Sequence, residues 1–297
     1  NVVSIKGEAM NQTFFSTIHA YNVEQNSWKA ISTNGTAPER NGHTCVLIHL
    51  PISNNSTETV PHLLVFGGSN DNGPNNVLHT LNLNTNTWAQ VTATGEIPEA
   101  RELHGATVFP TTDDSIRMIV SGGRTTSSLI NQFHQLSYQN GVWRWDLLGV
   151  CPHRCAHTLT TTRFSACHPA RLLTFAGTDG AAFYNDLLAY QHELNPSQPS
   201  EKCNKCQGPS HWIDLHTSAS QSQPSTEGKY VEPDESAPSP RFAHAFVALP
   251  IALQSTHTAT ETATATAAIV SSYVLFGGMN EEADLNDTYL LQVANKQ

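Results

Sequence analysis

The chain has 297 residues, with 15 Lys and Arg against 25 Asp and Glu and a formal net charge of −10. No cluster of Lys or Arg offsets this acidic balance, which argues against nucleic acid or an anionic membrane as the main partner. No apolar run approaches the ~18 residues of a spanning helix, so the sequence predicts a soluble protein. Its six cysteines are sparse and unevenly placed, unlike those of a disulfide-rich secreted scaffold, which favours a cytoplasmic location.

A four-stranded β unit recurs along the chain, and its first and last copies are incomplete. In chain order the copies cover approximately residues 1–34, 38–93, 98–148, 150–216 and 236–297. Inserts at 51–61, 195–210 and 252–268 and a linker at 217–237 interrupt or separate them. Since one such unit cannot bury its own faces, the repetition predicts that stacked copies share a core. We therefore expect residues 1–297 to form a single repeat domain or the larger part of one.

The first strand of every unit but the first is introduced by the pattern Arg-x-x-His, with a proline shortly before the arginine. The four copies are Arg40/His43, Arg101/His104, Arg154/His157 and Arg241/His244. A β-prone stretch follows each histidine. Because polar groups near packed sheets must be hydrogen-bonded, we expect these arginines and histidines to make polar contacts between repeats.

The next strand of each unit is an apolar run that ends in a pair of small residues. The pairs are Gly67/Gly68, Gly122/Gly123, Ala176/Gly177 and Gly277/Gly278. Runs of this length bounded by glycine fit strands that are buried on both faces. The paired glycines permit a tight exit from the strand with positive φ, which a Cβ would obstruct.

A tryptophan marks the last strand of the units. It follows the second small position by 20 residues in Glu8–Trp28, Gly68–Trp88 and Gly123–Trp143, and by 35 residues in Gly177–Trp212. The fifth unit would place its tryptophan just past Gln297. We predict that the four tryptophans fill the gaps between neighbouring sheets, each burying ~150–250 Å².

These columns together resemble the kelch repeat, and the resemblance covers almost the whole chain. Glu8 and Ala176 depart from the paired glycines of that pattern. The Arg-x-x-His style is more similar to scaffold and adaptor kelch proteins than to the ubiquitin-ligase receptors of the family. The resemblance implies an all-β fold, a kelch-type β-propeller of four-stranded antiparallel blades with five repeats, the first and last incomplete.

Candidate metal ligands are few once the repeat positions are set aside. Seven of the 15 histidines occupy repeat positions, since His19, His79 and His134 share one strand position and the other four belong to Arg-x-x-His. Repetition at equivalent places predicts a structural role. Cys203 and Cys206 form a Cys-x-x-Cys turn that is a candidate zinc ligand pair. A disulfide or redox pair and free thiols are the alternatives. We expect no metal site beyond this candidate pair and no cofactor.

Catalytic motifs are absent from the sequence, which has no G-x-S-x-G elbow, phosphate-binding glycine loop or H-E-x-x-H helix. We therefore predict no catalytic residue. Arg124, directly after Gly122 and Gly123, is a candidate binding-loop residue, with a solvated loop arginine as the alternative. The resemblance favours a scaffold or adaptor that binds other proteins through its blade loops. The alternatives are a substrate-positioning domain of a larger enzyme, for example a methyltransferase fusion, and a kelch enzyme with its own metal site.

Overall fold

The computed structural model describes ten segments of the chain. They are residues 2–5, 14, 16–53, 56–110, 115–162, 171–191, 211–215, 238–249, 270–280 and 283–294. Every regular element within these segments is a β-strand, which confirms the predicted all-β class. The chain divides into two compact units, Asn1–Cys155 and Ala156–Gln297.

The described residues of the first unit form three sheets of three to five strands and one two-stranded sheet, with the strands in almost sequential order. The first sheet has the order β1 (Val2–Ile5), β2 (Ile18–Asn22), β3 (Ser27–Ile31). The second has the order β4 (Thr44–Pro51), β5 (Thr59–Phe66), β8 (Leu78–Asn82), β9 (Thr87–Val91), with the small hairpin β6 (Ser69–Asn70) and β7 (Gly73–Pro74) between β5 and β8 in the chain. The third has the order β10 (Thr94–Gly95), β14 (Val142–Val150), β13 (Gln132–Gln139), β12 (Ile116–Ser121), β11 (Gly105–Phe109). All pairings are antiparallel except the short β10–β14 pairing.

The described residues of the second unit form two further sheets. The fourth sheet has the order β15 (Thr158–Thr162), β16 (Arg171–Thr178), β17 (Phe183–Gln191), β18 (His211–Asp214). The fifth has the order β19 (Ala245–Ala248), β20 (Val270–Met279), β21 (Asp284–Ala294). A core cluster of Leu173, Phe175, Leu187, Phe246 and Leu275 joins the two sheets.

The apolar run of β5 is buried on both faces, as its composition predicts. Leu63 and Val65 pack with Ile18 and Trp88 in a cluster between the first and second sheets. Because side chains alternate along a strand, Leu64 and Phe66 point the other way. They pack in a cluster shared by the second and third sheets.

The small pairs of the fourth and fifth sheets lie inside a strand, so the prediction that each pair ends its strand is wrong for these two sheets. β20 continues through Gly278, which pairs with Leu285, and β16 continues through Gly177, which pairs with Tyr184. The register shifts just before each of these glycines. Such a β-bulge absorbs the extra residue and lets strand pairing resume beyond it. The predicted positive φ is present at both glycines, +94° at Gly177 and +107° at Gly278.

The tryptophan that fills the gap between the second and third sheets is Trp145 rather than the predicted Trp143. Trp88 lies opposite Leu81, and Leu136, the equivalent of Leu81, lies opposite Trp145. Trp145 is 1% exposed, whereas Trp143 is half-buried at the edge of the same cluster. The prediction was wrong because the β13–β14 hairpin holds two more residues between these partners than the β8–β9 hairpin does.

Ring geometry supports this equivalence of Trp88 and Trp145. The rings of His79 and Trp88 meet edge-on, with centroids 6.5 Å apart at 83°. The rings of His134 and Trp145 repeat the arrangement at 6.5 Å and 86°. The histidine position therefore marks the buried tryptophan more faithfully than the distance from the glycines does.

The remaining two tryptophans are less buried than predicted. Trp28 is 60% exposed, so the prediction that it fills a gap is wrong. It lies on the face of β3 opposite Ile31, which packs against the second sheet, and no described sheet of this unit covers that face. Trp212 is half-buried and lies opposite Tyr190, with ring centroids 5.3 Å apart.

The predicted inserts and linker have different outcomes. Strands enter both ends of the 51–61 segment, because Pro51 closes β4 and pairs with Thr59 at the start of β5. The turn of this hairpin is therefore shorter than the predicted insert. The segments 195–210, 217–237 and 252–268 lie outside the described residues.

Candidate functional site

The arginine of the Arg-x-x-His pattern is buried and binds the glycine pair that follows the apolar run. Arg40 Nη1 donates to Gly67 O at 2.8 Å, Arg101 Nη1 to Gly122 O at 3.1 Å, and Arg241 Nη1 to Gly277 O at 2.9 Å. Arg154 is also buried. The side chains of Arg40, Arg101 and Arg241 form these hydrogen bonds within their own sheets, whereas contacts between repeats were predicted. The guanidinium therefore clamps the Gly-Gly pair of its own repeat.

The other partners of the clamp differ from sheet to sheet. Arg40 also donates to Asn75 Oδ1 at 3.0 Å and lies 3.2 Å from His79 Nδ1, which must act as an acceptor. Arg241 instead pairs with both carboxylate oxygens of Asp287, at 2.5 and 2.8 Å. That pairing lowers the pKa of Asp287. Burial lowers the pKa of the Arg40 guanidinium to about 10, which leaves it charged at neutral pH.

Two histidines of the pattern reach the preceding repeat, as predicted. His104 Nε2 and Thr44 Oγ1 are 2.7 Å apart, and His244 Nε2 and Thr158 Oγ1 are 3.0 Å apart. The same two rings meet Phe66 and Phe175 edge-on, with centroids 5.4 and 5.2 Å away. These histidines link adjacent sheets within each unit.

The other two histidines of the pattern are also removed from solvent, but their contacts with the preceding repeat stay a prediction. His157 is buried directly before β15, at the beginning of the second unit. His43 is half-buried directly before β4. Burial and the Arg40 charge lower the pKa of His43 to about 4. The burial of both rings fits the structural role predicted for this column.

Buried histidines predict loss of stability in mild acid. Burial, helped by the Arg40 charge, lowers the pKa of His79 from about 6.5 to about 4, and burial with the Arg101 charge does the same for His134. The folded state then binds fewer protons than the unfolded chain between these two values. We expect the urea midpoint to be highest above pH 6.5 and to fall as the pH drops towards 4.

A pair of glutamine variants tests this pH dependence. His79→Gln keeps an acceptor for Arg40 but cannot titrate, so the midpoint should fall less steeply between pH 7 and pH 5. His153→Gln is the matched control, because this ring is exposed and its hydrogen-bond partner among the described residues is the carbonyl of Leu129. A slope that is unchanged in His79→Gln would contradict the assignment.

The second glycine of a pair lies directly beneath the start of an Arg-x-x-His segment. The backbone oxygens that an added Cβ would meet are Asn41 O at 2.5 Å for Gly68, Glu102 O at 2.6 Å for Gly123 and Phe242 O at 2.9 Å for Gly278. The Gly68 N–H also donates to Arg101 O of the next repeat at 2.8 Å. Glycine is therefore required here by close approach as well as by positive φ.

Two glycine variants separate these effects. Gly68 and Gly180 have nearly the same φ, +87 and +88°, but nothing lies within 4 Å of a Cβ on Gly180. We expect Gly180→Ala to cost about 1 kcal/mol for the left-handed conformation alone. Gly68→Ala should cost about 2–3 kcal/mol, since the backbone must also shift. Equal losses in chemical denaturation would show that close approach is unimportant.

The residue after each of three arginines is paired with the residue after the Gly-Gly pair. We call these couples the loop pairs: Asn41–Ser69, Glu102–Arg124 and Phe242–Met279. In each loop pair both backbone N–H groups donate to the partner's carbonyl, at 2.9–3.0 Å. The backbone frame is thus the same in all three loop pairs, whereas the side chains are polar, ionic and apolar in turn.

Arg124, the predicted binding-loop residue, lies in the ionic loop pair. Its Nε donates to Glu102 Oε1 at 2.8 Å, with the arginine side chain 51% exposed and the glutamate 13%. Thr125 Oγ1 accepts the N–H groups of Ser127 and Ser128, which closes the adjoining turn. The side chain therefore stands on an ordered turn at the surface, and a role in binding stays a prediction.

The described residues present little material for metal chemistry. No group of three or more His, Cys, Asp or Glu within the ten described segments could hold a metal ion. Cys151 and Cys155 are buried free thiols, and burial raises the pKa of both. Cys203 and Cys206 lie outside the described residues, so zinc at this pair stays a prediction. Those segments also hold no helix that is long and apolar enough to cross a membrane.

Comparison with known proteins identifies the family. The KLHDC2/KLHL20/DRC7 Kelch-repeats domain matches residues 1–196, about two thirds of the chain. The chain therefore belongs to the kelch-repeat family, and the sheets within the matched residues are kelch blades. The predicted resemblance is confirmed.

Three curated relatives share part of this kelch region. The Rab9 effector protein with kelch motifs of Bos taurus is 26% identical over 62% of this chain and 46% of its own length. Tip elongation aberrant protein 1 of Schizosaccharomyces pombe is 27% identical over 57% of this chain and 14% of its own length. Acyl-CoA-binding domain-containing protein 5 of Arabidopsis thaliana is 25% identical over 48% of this chain and 20% of its own length. The chain thus spans less than half the length of each relative.

Proposed function

We propose that this chain is a protein-binding kelch domain that works as an interaction scaffold or adaptor through the loops that carry the loop pairs. The observation that carries the proposal is the contrast within those pairs. One backbone frame displays the side chains of Asn41–Ser69, Glu102–Arg124 and Phe242–Met279. A rigid frame with variable side chains is the usual basis of recognition by loops.

The family supports the same function. Kelch propellers generally mediate protein interactions and are generally non-catalytic. The name of the bovine relative describes it as a Rab9 effector, which suggests that it has a protein partner. The net charge of −10 favours proteins over nucleic acid or an anionic membrane as partners of this chain. Nothing in the described residues favours the substrate-positioning alternative.

A capture experiment tests the proposal. The full chain, immobilised, should retain a reproducible set of proteins from a lysate of cells that express it. We expect Ser69→Lys combined with Arg124→Glu to remove part of that set, since both residues stand on the loop face, which is the end of each sheet that carries its loop pair. Thr85→Glu is the control, because Thr85 is exposed in the turn between β8 and β9, at the end of the second sheet opposite Ser69. An unchanged set in the double variant, or no retained protein together with a measured turnover, would refute the proposal.

A further inference from the structure

The loop face of the second unit carries an apolar patch formed by Phe183, Phe242 and Met279. We call it the Phe–Met patch. The rings of Phe183 and Phe242 stack, with centroids 5.0 Å apart and an interplanar angle of 16°. Met279 is 43% exposed, and its backbone is joined to that of Phe242 by two hydrogen bonds of 3.0 Å. The patch is therefore held on the same frame as the polar loop pairs of the first unit.

This patch lies apart from the core of its unit. The core cluster of the fourth and fifth sheets contains Phe175, Phe246 and Leu275, but none of the three patch residues. Phe183 and Phe242 are half-buried, and Ala182 and Ala243 beside them are exposed. Aromatic and Met side chains grouped at a surface are typical anchors of protein interfaces. The small neighbours leave the rings and the thioether accessible to a partner.

Carboxylates flank the patch. Asp284 is exposed and lies directly opposite Met279 in the β20–β21 pairing. Asp179 lies four positions before Phe183, and its oxygens accept the N–H groups of Ala181 and Ala182 and the Tyr184 hydroxyl. The Tyr184 hydrogen bond and the backbone N–H groups lower the pKa of Asp179 to about 2, so it remains charged.

No described cation neutralises this rim. The described residues of the second unit include two arginines, Arg171 and Arg241. Arg241 is fully buried and paired with Asp287. Arg171 lies at the start of β16, at the far end of the strand from the turn that leads to Phe183. The patch is thus apolar at its centre and negative at its edge.

We propose that the Phe–Met patch binds a peptide segment of a partner protein in which a large apolar side chain stands next to lysine or arginine. The apolar side chain would pack on the phenylalanine rings and Met279, and the cation would face Asp284 and Asp179. This inference rests on the proposed protein-binding function and names the partner chemistry at the Phe–Met patch. Burial of the apolar group supplies affinity, and the charges supply selectivity.

Binding of the full chain to an array of synthetic peptides tests the inference. The probes are Gly-Ser peptides that carry Leu, Met or Phe beside Lys or Arg, beside Glu, or beside Ser. We expect the basic peptides to bind about tenfold more tightly than the acidic ones. High salt should reduce this preference, because the charges are exposed. Equal binding of basic and acidic peptides would overturn the inference.

Two variants place the binding at the patch. Met279→Ser removes apolar surface and should weaken the basic peptides about tenfold. Asp284→Lys should move the preference towards the acidic peptides. Both side chains are exposed, so far-UV circular dichroism should be unchanged. Leu290→Ser is the matched control, because Leu290 is an exposed apolar side chain of β21 that pairs with Val274, away from the patch.

The outcomes separate this inference from the proposed function. If peptide binding responds to Arg124→Glu but not to Met279→Ser, the chain binds proteins elsewhere and the inference is wrong. The same holds if the chain captures proteins from lysate but selects no basic apolar peptide. A concentration-dependent dimer in sedimentation that Met279→Ser abolishes would also overturn it, since a second copy would then cover the patch.

Discussion

Trp145→Ala should lower the free energy of unfolding by about 3–5 kcal/mol. The indole is 1% exposed and lies 4.9 Å from Phe66, centroid to centroid, in the cluster shared by the second and third sheets. Truncation removes this contact area and leaves a cavity that surrounding strands cannot fill without moving. Urea unfolding followed by far-UV circular dichroism measures the loss without relying on tryptophan fluorescence.

Trp143→Ala is the matched control, since it removes the same side chain two positions away. Trp143 is half-buried, and its ring lies beside that of its cross-strand neighbour Tyr138, with centroids 4.7 Å apart. We expect a loss of about 1 kcal/mol for this variant. A larger loss for Trp143→Ala than for Trp145→Ala would mean that the distance from Gly123, and not the strand register, identifies the core tryptophan.

The repeat columns predicted the fold well because local chemistry dictates them. Positions 68 and 123 require glycine, because a Cβ there would lie 2.5–2.6 Å from a neighbouring backbone oxygen. Residue spacing is a weaker guide, as Trp143 shows, because hairpins of different length change which residues face each other. The same columns did not reveal that β20 continues through Gly278, since a bulge and a strand end place the same residue type at the same point. Burial of Trp28 depends on a neighbouring sheet, which no pattern within its own repeat can reveal.

The candidate site was predicted less completely than the fold. Arg124 was singled out because it follows a Gly-Gly pair, and it lies exposed on the loop face. Phe242 and Met279 occupy the corresponding loop-pair positions, but apolar residues beside strands are usually read as core. Comparing the residues after each arginine and after each glycine pair would have found them. Phe183 could not be found in this way, because its contact with Phe242 is tertiary.

Arg101→Ala should destabilise the protein by about 3–5 kcal/mol, although no carboxylate pairs with this arginine among the hydrogen bonds that the described residues show. The side chain is 0% exposed. It donates to the carbonyls of Glu99, Gly122 and Gln132 at 3.1–3.2 Å. Removing it opens a cavity and takes a charged donor from carbonyls that the sheet keeps from water. Urea unfolding at pH 7.5 measures the effect well above the lowered pKa values of His79 and His134.

Arg124→Ala controls for the loss of an arginine as such. Its ion pair with Glu102 is half-exposed, and pairs of this kind contribute roughly 0–1 kcal/mol. Arg101→Lys should give an intermediate loss, because an ammonium keeps the charge but cannot donate in the fixed directions of the guanidinium fork. Equal losses of unfolding free energy for Arg101→Ala and Arg124→Ala would mean that the buried guanidinium stabilises the fold no more than a surface guanidinium does. The arginine of the Arg-x-x-His pattern would then not be the clamp of the Gly-Gly pair.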